Sequence, residues 1–290
     1  MAIRSKAYTL LELLVAMTIV VVLAGLLAPV FIQVKEEARK TVCAMNFKQV
    51  NLSATLYQID YDDKYVVSKY LGGQAKNAVI DRTWVQLVQP YLRSLDSTRC
   101  PSDHTSRPNE PAVFDSDLVI GNSVERFYLA SQRANTGFNF VYLSPMVRDP
   151  SGQWFSKPRS TSELQSPAET LVFGDSVWEV DDQGMPSGGG SYLLIPPCRF
   201  NSPDRSDSFG LNSVSSDWIY TASKVWDENQ HVSRARSGGL WGWHSRRLTA
   251  VMGDGSVKVI SRERASDGCQ VRQRWGGLIT DPSKYLWDLR

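Results

Sequence analysis

The chain has 290 residues, with 32 Lys and Arg against 30 Asp and Glu, so its net charge at pH 7 is +2. A chain this close to neutrality has no general electrostatic affinity for nucleic acid. Its length allows a membrane anchor followed by one large or two small domains.

The first predicted element is a membrane helix over Leu13–Ile32, a run of twenty residues without a charge. At about 1.5 Å per helical residue, such a run spans roughly 30 Å, the hydrocarbon thickness of a bilayer. Arg4 and Lys6 precede the run, and the next basic residue is Lys35. Because basic residues favour the cytoplasmic side, we expect a cytoplasmic N-terminus, with the chain from Lys35 onward outside the cytoplasm.

The residues at the start of this run carry a family resemblance. A short basic leader is followed by a small residue, an aromatic residue and a Thr-Leu-Leu-Glu segment, which together end at Glu12. This arrangement resembles the processing site of type IV prepilins and type II secretion pseudopilins. The resemblance implies that prepilin peptidase cleaves between Ala7 and Tyr8 and that the new Tyr8 amine is N-methylated. The family usually has Gly before the cut, where this chain has Ala7.

The same resemblance implies assembly roles for Glu12 and Pro29. A carboxylate at the edge of an apolar run is costly unless it finds a partner. In a filament, Glu12 would neutralise the cationic Tyr8 amine of a neighbouring subunit in a low-dielectric core. Pro29 stands at position 22 of the processed chain, where pilin helices commonly carry a proline that kinks the helix. The alternative interpretation is an ordinary signal anchor with an interfacial Glu.

Further expectations about partners and location follow from the resemblance. The protein would lie in the bacterial inner membrane as a single-pass subunit with a periplasmic or extracytoplasmic head, and would then join a pilus or pseudopilus filament. Its partners would be other pilin-like subunits, prepilin peptidase and the inner-membrane assembly platform. No nucleic acid is expected as a partner. The implied function is that of a structural subunit and not of an enzyme.

The helix is predicted to continue beyond the membrane, because Val34–Tyr61 keeps a helical period without a breaker. Two apolar stripes recur along it, and together they predict a broad face that packs against a sheet. The first stripe contains Ala38, Val42, Met45, Leu52, Leu56 and Ile59, and the second contains Cys43, Phe47, Val50, Ala54, Tyr57 and Tyr61. The predicted organisation is a leader at 1–7, a membrane and assembly helix at 8–34, its amphipathic continuation at 35–61 and a head at 62–290.

Four short segments are similar to a large pseudopilin-like family with a DUF1559-type domain. They are a Cys-x-x-Asn-x-Lys-Gln segment with an acidic turn after it, a Cys-Pro-Ser-Asp segment, the stretch before a strand that ends in Gly-Asp-Ser, and a His placed nine residues before Asp-Gly. The motif residues are Cys43, Cys100, Pro101, Asp103, His244, Asp254 and Gly255. No cofactor is predicted, although the acidic turn offers candidate calcium ligands in Asp60, Asp62 and Asp63. The alternative is a polar turn, because no Gly or terminal Glu completes an EF-hand loop.

From Lys64 onward, short runs rich in Val, Tyr, Trp and Phe alternate with turn residues, which predicts a β-rich head and an α+β fold. The candidates for strands or buried segments are Val66–Val67, Trp84–Val88, Phe138–Leu143, Thr170–Phe173 and Tyr192–Ile195. The segment Trp84–Leu92 is equally compatible with a short helix. Two regions rich in Pro, Gly, Ser and Asn, 107–132 and 181–243, predict long loops or insertions.

The spacing of His244 and Asp254 raises the question of catalysis, with the histidine as base. The Asp-Gly pair has the residue types of a type I′ hairpin turn, which would place Met252 opposite Val257. If the first strand runs straight back to His244, about 3.3 Å per residue separates the two side chains by roughly 30 Å. His244 is therefore predicted to be a structural hydrogen-bonding residue. Two rival hypotheses are a membrane-tethered hydrolase that uses His244, and an adhesin-like head that binds a surface polysaccharide through Trp241 and Trp243.

The four cysteines, Cys43, Cys100, Cys198 and Cys269, lie in the part of the chain that is predicted to be exported. One or two disulfides are therefore expected, with free buried thiols as the alternative. No Cys-x-x-Cys pair is present and the chain has three histidines, so the sequence predicts no structural zinc site.

Overall fold

A helix of 51 residues, α1 (Leu10–Asp60), leads into a β-rich head, which confirms the predicted α+β fold. The structure is a computed structural model that describes residues 9–70, 82–105, 127, 130–148, 150–152, 154–181, 183–200, 238–271 and 277–287. The helix continues through Pro29, which removes one backbone donor from its interior. It ends at Asp60 with Tyr61 as its C-cap, and the next residues, Asp62 and Asp63, both take positive φ values as the chain turns.

The two apolar stripes of α1 meet different environments. Five members of the second stripe are buried against the head, namely Cys43, Phe47, Val50, Ala54 and Tyr57. The first stripe is exposed, and Val42, Met45, Leu52, Leu56 and Ile59 are each between 40% and 66% accessible. The prediction of one broad packed face is therefore wrong. At about 100° per residue, the stripe centres lie roughly 155° apart, so a single neighbouring layer cannot cover both.

The described part of the head contains short strands, 3-10 helices and short α-helices. Two of the α-helices are α2 (Trp84–Val88) and α3 (Phe140–Leu143), and the 3-10 helices are Gln89–Tyr91, Leu95–Thr98, Thr161–Glu163, Arg262–Ser266 and Pro282–Lys284. The strands are β1 (Lys69–Tyr70), β2 (Arg82–Thr83), β3 (Thr136–Asn139), β4 (Met146–Arg148), β5 (Trp154–Ser156), β6 (Leu171–Asp175), β7 (Glu179–Val180), β8 (Pro186–Ser187), β9 (Leu193–Leu194), β10 (Cys198–Phe200), β11 (Arg247–Met252), β12 (Val257–Ser261), β13 (Cys269–Gln270) and β14 (Gly277–Ile279).

The central sheet has five strands in the order β12-β11-β6-β3-β9. Neighbours are antiparallel except for the pair β3 and β9, which is parallel. Strands β3 and β6 are buried at every position, as expected for strands covered on both faces. Helix α1 contacts β11 and β12, so the sheet edge formed by these two strands lies next to the buried stripe of the helix.

Three predicted segments differ from the structure in type or extent. Phe138–Leu143 is divided, because β3 ends at Asn139 and α3 begins at Phe140. The ambiguous segment at Trp84 is a helix, and Thr83 caps it with a capping box formed with Gln86. Val66–Val67 precedes β1 and belongs to no strand. In each case the apolar side chains indicated burial correctly but did not specify the backbone, which is the known ambiguity of short apolar runs.

The hairpin of β11 and β12 has a different turn from the one predicted. Its loop has three residues, 253–255, of which only Gly255 takes a positive φ, 81°. Val251, and not Met252, therefore faces Val257. This register matches a three-residue hairpin with Gly at the left-handed position, in which one extra residue shifts the pairing. The predicted type I′ turn and register at this place are wrong.

One disulfide joins Cys198 of β10 to Cys269 of β13, on either side of β14. Cys43 and Cys100 are free and buried. Both alternatives that the sequence left open thus occur in one molecule. Of the two predicted loop regions, residues 106–126 and 201–237 lie outside the described residues.

Removing the disulfide by the double change Cys198→Ala and Cys269→Ala should lower the free energy of unfolding by about 2–4 kcal/mol. The bridge closes a sequence separation of 71 residues, and its loss restores that freedom to the unfolded chain. The measurement is denaturant unfolding of the full chain in detergent, with wild type in reductant as the matched control. Equal midpoints for the oxidised and reduced wild type would contradict the prediction.

Candidate functional site

The N-terminal part of α1, from Leu10 to Val34, has an apolar surface that the head does not cover. Every large apolar side chain from Leu10 to Val34 is exposed. Among the described residues, α1 is the one helix that is long and apolar enough to cross a membrane by length and composition. Exposed apolar surface on this scale is typical of membrane spans and protein interfaces.

Glu12 has a local partner at the start of this apolar segment. Its carboxylate accepts a hydrogen bond from the Thr9 N–H at 2.8 Å, and the Glu12 N–H donates to the Thr9 hydroxyl oxygen at 3.3 Å, which makes a capping box. Capping explains a carboxylate at this position within one chain, and the predicted pairing with a neighbouring subunit stays a prediction. The predicted cleavage residues, Ala7 and Tyr8, lie outside the described residues.

A second group of functional side chains lies where α1 meets the head. Cys43 comes from α1, Cys100 lies two residues after the 3-10 helix at 95–98, and His244 precedes β11. Their relative exposures are 1%, 4% and 3%. The two Sγ atoms and a ring nitrogen lie within 4.8 Å of one another, with Cys100 Sγ 3.4 Å from His244 Nε2. We call these three residues together with Asp175 the buried donor cluster.

Asp175, the last residue of β6, completes this cluster. It is fully buried, and its Oδ1 lies 3.5 Å from Cys43 Sγ. Its Oδ2 accepts a hydrogen bond of 2.7 Å from the Thr249 N–H on β11. Burial raises the pKa of Asp175 well above its usual range, and the nearby negative charge on Cys100 raises this pKa further.

The other ring nitrogen of His244 faces a carboxylate. Nδ1 lies 3.0 Å from Glu36 Oε1, and the Ser102 hydroxyl donates to the same carboxylate at 2.9 Å. Glu36 is on α1, seven residues before Cys43, so both project from one side of the helix. This contact places a proton on Nδ1, which faces Glu36, while Nε2 faces Cys100.

The pKa values of Cys100, His244 and Cys43 are shifted in different directions. Hydrogen bonding from Cys43 and the contact with His244 lower the pKa of Cys100 to about 6, against the opposing effect of burial. Burial by itself would lower the pKa of His244, but Cys100 and Glu36 raise it to about 9. The pKa of Cys43 is raised by its hydrogen bond to Cys100, by burial and by the Asp175 charge. The contact with His244 thus favours the deprotonated form of Cys100, and Cys100 in turn favours the protonated form of His244.

The residues that carry the resemblance to the DUF1559-type family have separable roles. Pro101 and Asp103 belong to the turn that presents Cys100, and Asp103 accepts a hydrogen bond from the Asn135 amide at 2.8 Å. Asp254 and Gly255 form the hairpin loop, where Asp254 accepts from the Ser256 N–H. They lie at the opposite end of β11 from His244, so the structure does not bring His244 and Asp254 together.

The approach of His244 to the cluster depends on a second turn. The backbone of His244 pairs with Arg247, and both central residues, Ser245 and Arg246, have positive φ values of 52° and 65°. This is the pattern of a type I′ turn with two unfavourable side chains. The straight strand assumed from the sequence is therefore wrong, because the chain reverses before β11 begins.

The remaining candidates from the sequence lie elsewhere. Asp60 accepts a hydrogen bond of 2.6 Å from the Tyr91 hydroxyl, and Asp62 and Asp63 form the turn after α1. Within the described ranges, the only gathered group of three Cys, His, Asp or Glu donors is Cys43, Cys100 and His244. The rings of Trp241 and Trp243 meet edge to face at 6.3 Å, and both are partly buried.

Sequence spacing gave no sign of the buried donor cluster, since Cys100 and His244 alone are 144 positions apart. Glu36 and Thr249 were missed, and the spacing of Glu36 and Cys43 on one side of α1 was the one available signal.

A comparison with known protein families matches residues 3–28 to the model of the prokaryotic N-terminal methylation motif. This match supports a prepilin-type, pilin-like protein, and the apolar helix fits membrane anchoring. No curated protein and no solved structure matches the chain significantly.

Proposed function

We propose that this protein is a non-enzymatic structural subunit of a type IV pilus-like or type II secretion pseudopilus-like filament. Prepilin peptidase would cleave it between Ala7 and Tyr8, and α1 would then pack among the helices of other subunits. The observation that carries the proposal is the exposed apolar part of α1, which lies within and directly after the methylation motif. The head would stay outside the cytoplasm.

The exposed surface of α1 supports assembly through this helix. Before assembly, the lipid bilayer would cover the segment Leu10–Val34. In a filament, other helices would take the place of lipid, and the uncovered first stripe from Val42 to Ile59 would extend this contact along the head. The head is much larger than the helix, which favours a minor or specialised subunit on steric grounds. The DUF1559-type motif supports the pseudopilin form of this proposal.

Mass spectrometry of the mature N-terminus tests the proposal directly. Full-length protein is expressed with and without a prepilin peptidase, and the N-terminal peptide is sequenced. The expected peptide begins at an N-methylated Tyr8 only when the peptidase is present. An Ala7→Gly variant, which restores the family residue, serves as the matched control and should be cut at the same bond. An intact Met1, or a cut at another bond, would refute the processing step.

A further inference from the structure

We propose that Cys43, Cys100, His244 and Asp175 bind one Zn²⁺ ion, and that this ion fastens helix α1 to the head. The proposal is independent of filament assembly. It assigns a task to buried groups that the structural-subunit function does not use. The four residues come from α1, from the loop after the 3-10 helix at 95–98, from the turn before β11 and from the end of β6.

The distances among the donor atoms of Cys43, Cys100 and His244 suit a tetrahedral zinc site. Zinc binds sulfur at about 2.3 Å and nitrogen or oxygen at about 2.0–2.1 Å, so two such donors on one tetrahedral ion lie about 3.5 Å apart. Cys100 Sγ lies 3.4 Å from His244 Nε2, and Cys43 Sγ lies 3.5 Å from Asp175 Oδ1. The two thiols and the imidazole are also mutually within 4.8 Å. Cys43, Cys100 and His244 therefore already stand near ligand positions. Asp175 contacts Cys43 but does not lie within 4.8 Å of all three donors, so its carboxylate would rotate toward the ion to complete the tetrahedron.

The surroundings of these donors resemble the outer shell of a metal site. A histidine that binds zinc usually donates its second ring N–H to a carboxylate, which fixes the tautomer and the ring orientation. Glu36 holds that place at 3.0 Å from Nδ1. The second oxygen of Asp175 is held by the Thr249 N–H, which leaves Oδ1 directed toward Cys43.

The chemistry of the donors selects the kind of cation. Two sulfurs, one imidazole and one carboxylate suit a thiophilic transition metal such as Zn²⁺, whereas Ca²⁺ and Mg²⁺ require oxygen ligands. A fully buried carboxylate beside two thiols is costly unless a positive charge or proton compensates it. Zinc would replace the thiol protons and provide that charge. The site is closed to solvent, as is typical of structural zinc sites.

The competing outcome is a disulfide between Cys43 and Cys100, because free thiols this close are readily oxidised outside the cytoplasm. A disulfide would consume both sulfurs and abolish zinc binding. The contact between His244 and Glu36 would then orient a histidine that binds no metal. The two outcomes differ in zinc content and in the number of free thiols, so one preparation distinguishes them.

The test uses the full chain in detergent micelles, purified through a tag without histidine and dialysed against Zn²⁺. Metal analysis should find one zinc per chain, and thiol titration after denaturation in EDTA should find two thiols. Co²⁺ in place of Zn²⁺ should give the intense thiolate-to-cobalt absorption of tetrahedral sites. Zinc-free protein with two thiols, or protein with no thiols, would overturn the proposal.

Variants assign the ligands. His244→Gln should weaken zinc binding by about 100-fold or more, and Glu36→Gln by about 10–100-fold. His104→Gln is the matched control, since His104 is exposed and lies outside the cluster, and its zinc affinity should equal that of wild type. Unchanged affinity in His244→Gln would show that zinc binds elsewhere and would overturn the proposal. If a variant fails to fold, the measurements on wild type decide alone.

Discussion

Glu12→Ala is expected to leave the protein inserted in the membrane and to abolish its incorporation into filaments. Insertion should persist because the apolar run that follows Glu12 is unchanged, and the variant removes a costly charge from the start of that run. Assembly should fail because the processed Tyr8 amine would enter a low-dielectric helix bundle without a counter-charge. Membrane fractionation measures insertion, and the amount of protein in sheared or purified filaments measures assembly.

Two control variants separate the charge of Glu12 from its capping role. Glu12→Gln keeps an oxygen that can accept from the Thr9 N–H but removes the charge, so it should fail to assemble like Glu12→Ala. Thr9→Val removes the hydroxyl of the capping box and keeps the charge, so it should assemble nearly normally at a cost of about 1 kcal/mol in helix stability. Normal assembly of Glu12→Gln would refute the charge-pairing role.

Trp84→Ala is expected to lower the free energy of unfolding by about 3–5 kcal/mol, the usual cost of removing a large buried aromatic side chain. Trp84 is fully buried, and its ring centroid lies 5.0 Å from that of Phe173 and 6.2 Å from that of Phe138. These phenylalanines face each other across β3 and β6, so Trp84 fixes α2 against the centre of the main sheet. Denaturant unfolding of the full chain in detergent measures the effect.

Two further variants calibrate the Trp84 result. Trp84→Phe keeps most of the ring but loses the hydrogen bond from Nε1 to the Tyr192 carbonyl, so it should cost clearly less than the alanine variant. Tyr70→Ala truncates an aromatic residue that is 51% exposed and should cost about 0.5 kcal/mol or less. If Trp84→Ala and Tyr70→Ala unfolded at the same midpoint, the central position of Trp84 would be refuted.

Local patterns predicted the elements whose information is local. The apolar run and the helical period correctly predict α1, and the run Thr170–Phe173 correctly predicts most of β6. Hairpin geometry was not predictable, because one residue added to the loop shifts every pair of β11 and β12. The type I′ turn was assigned to Asp254, whereas the residues with that pattern of φ values are Ser245 and Arg246. Their side chains do not favour that conformation, so packing must impose it.

The sequence alone determined the N-terminal region of this protein. The basic residues Arg4 and Lys6, the uncharged run and Glu12 stand close together in the sequence, and a membrane helix forms all of its backbone hydrogen bonds within one segment. Tertiary structure alone decided the rest. It turned one stripe of α1 to the head and left the other exposed, and it gathered Cys43, Cys100 and His244 from distant segments. Such contacts depend on how sheets and turns pack, and sequence spacing carries no record of them.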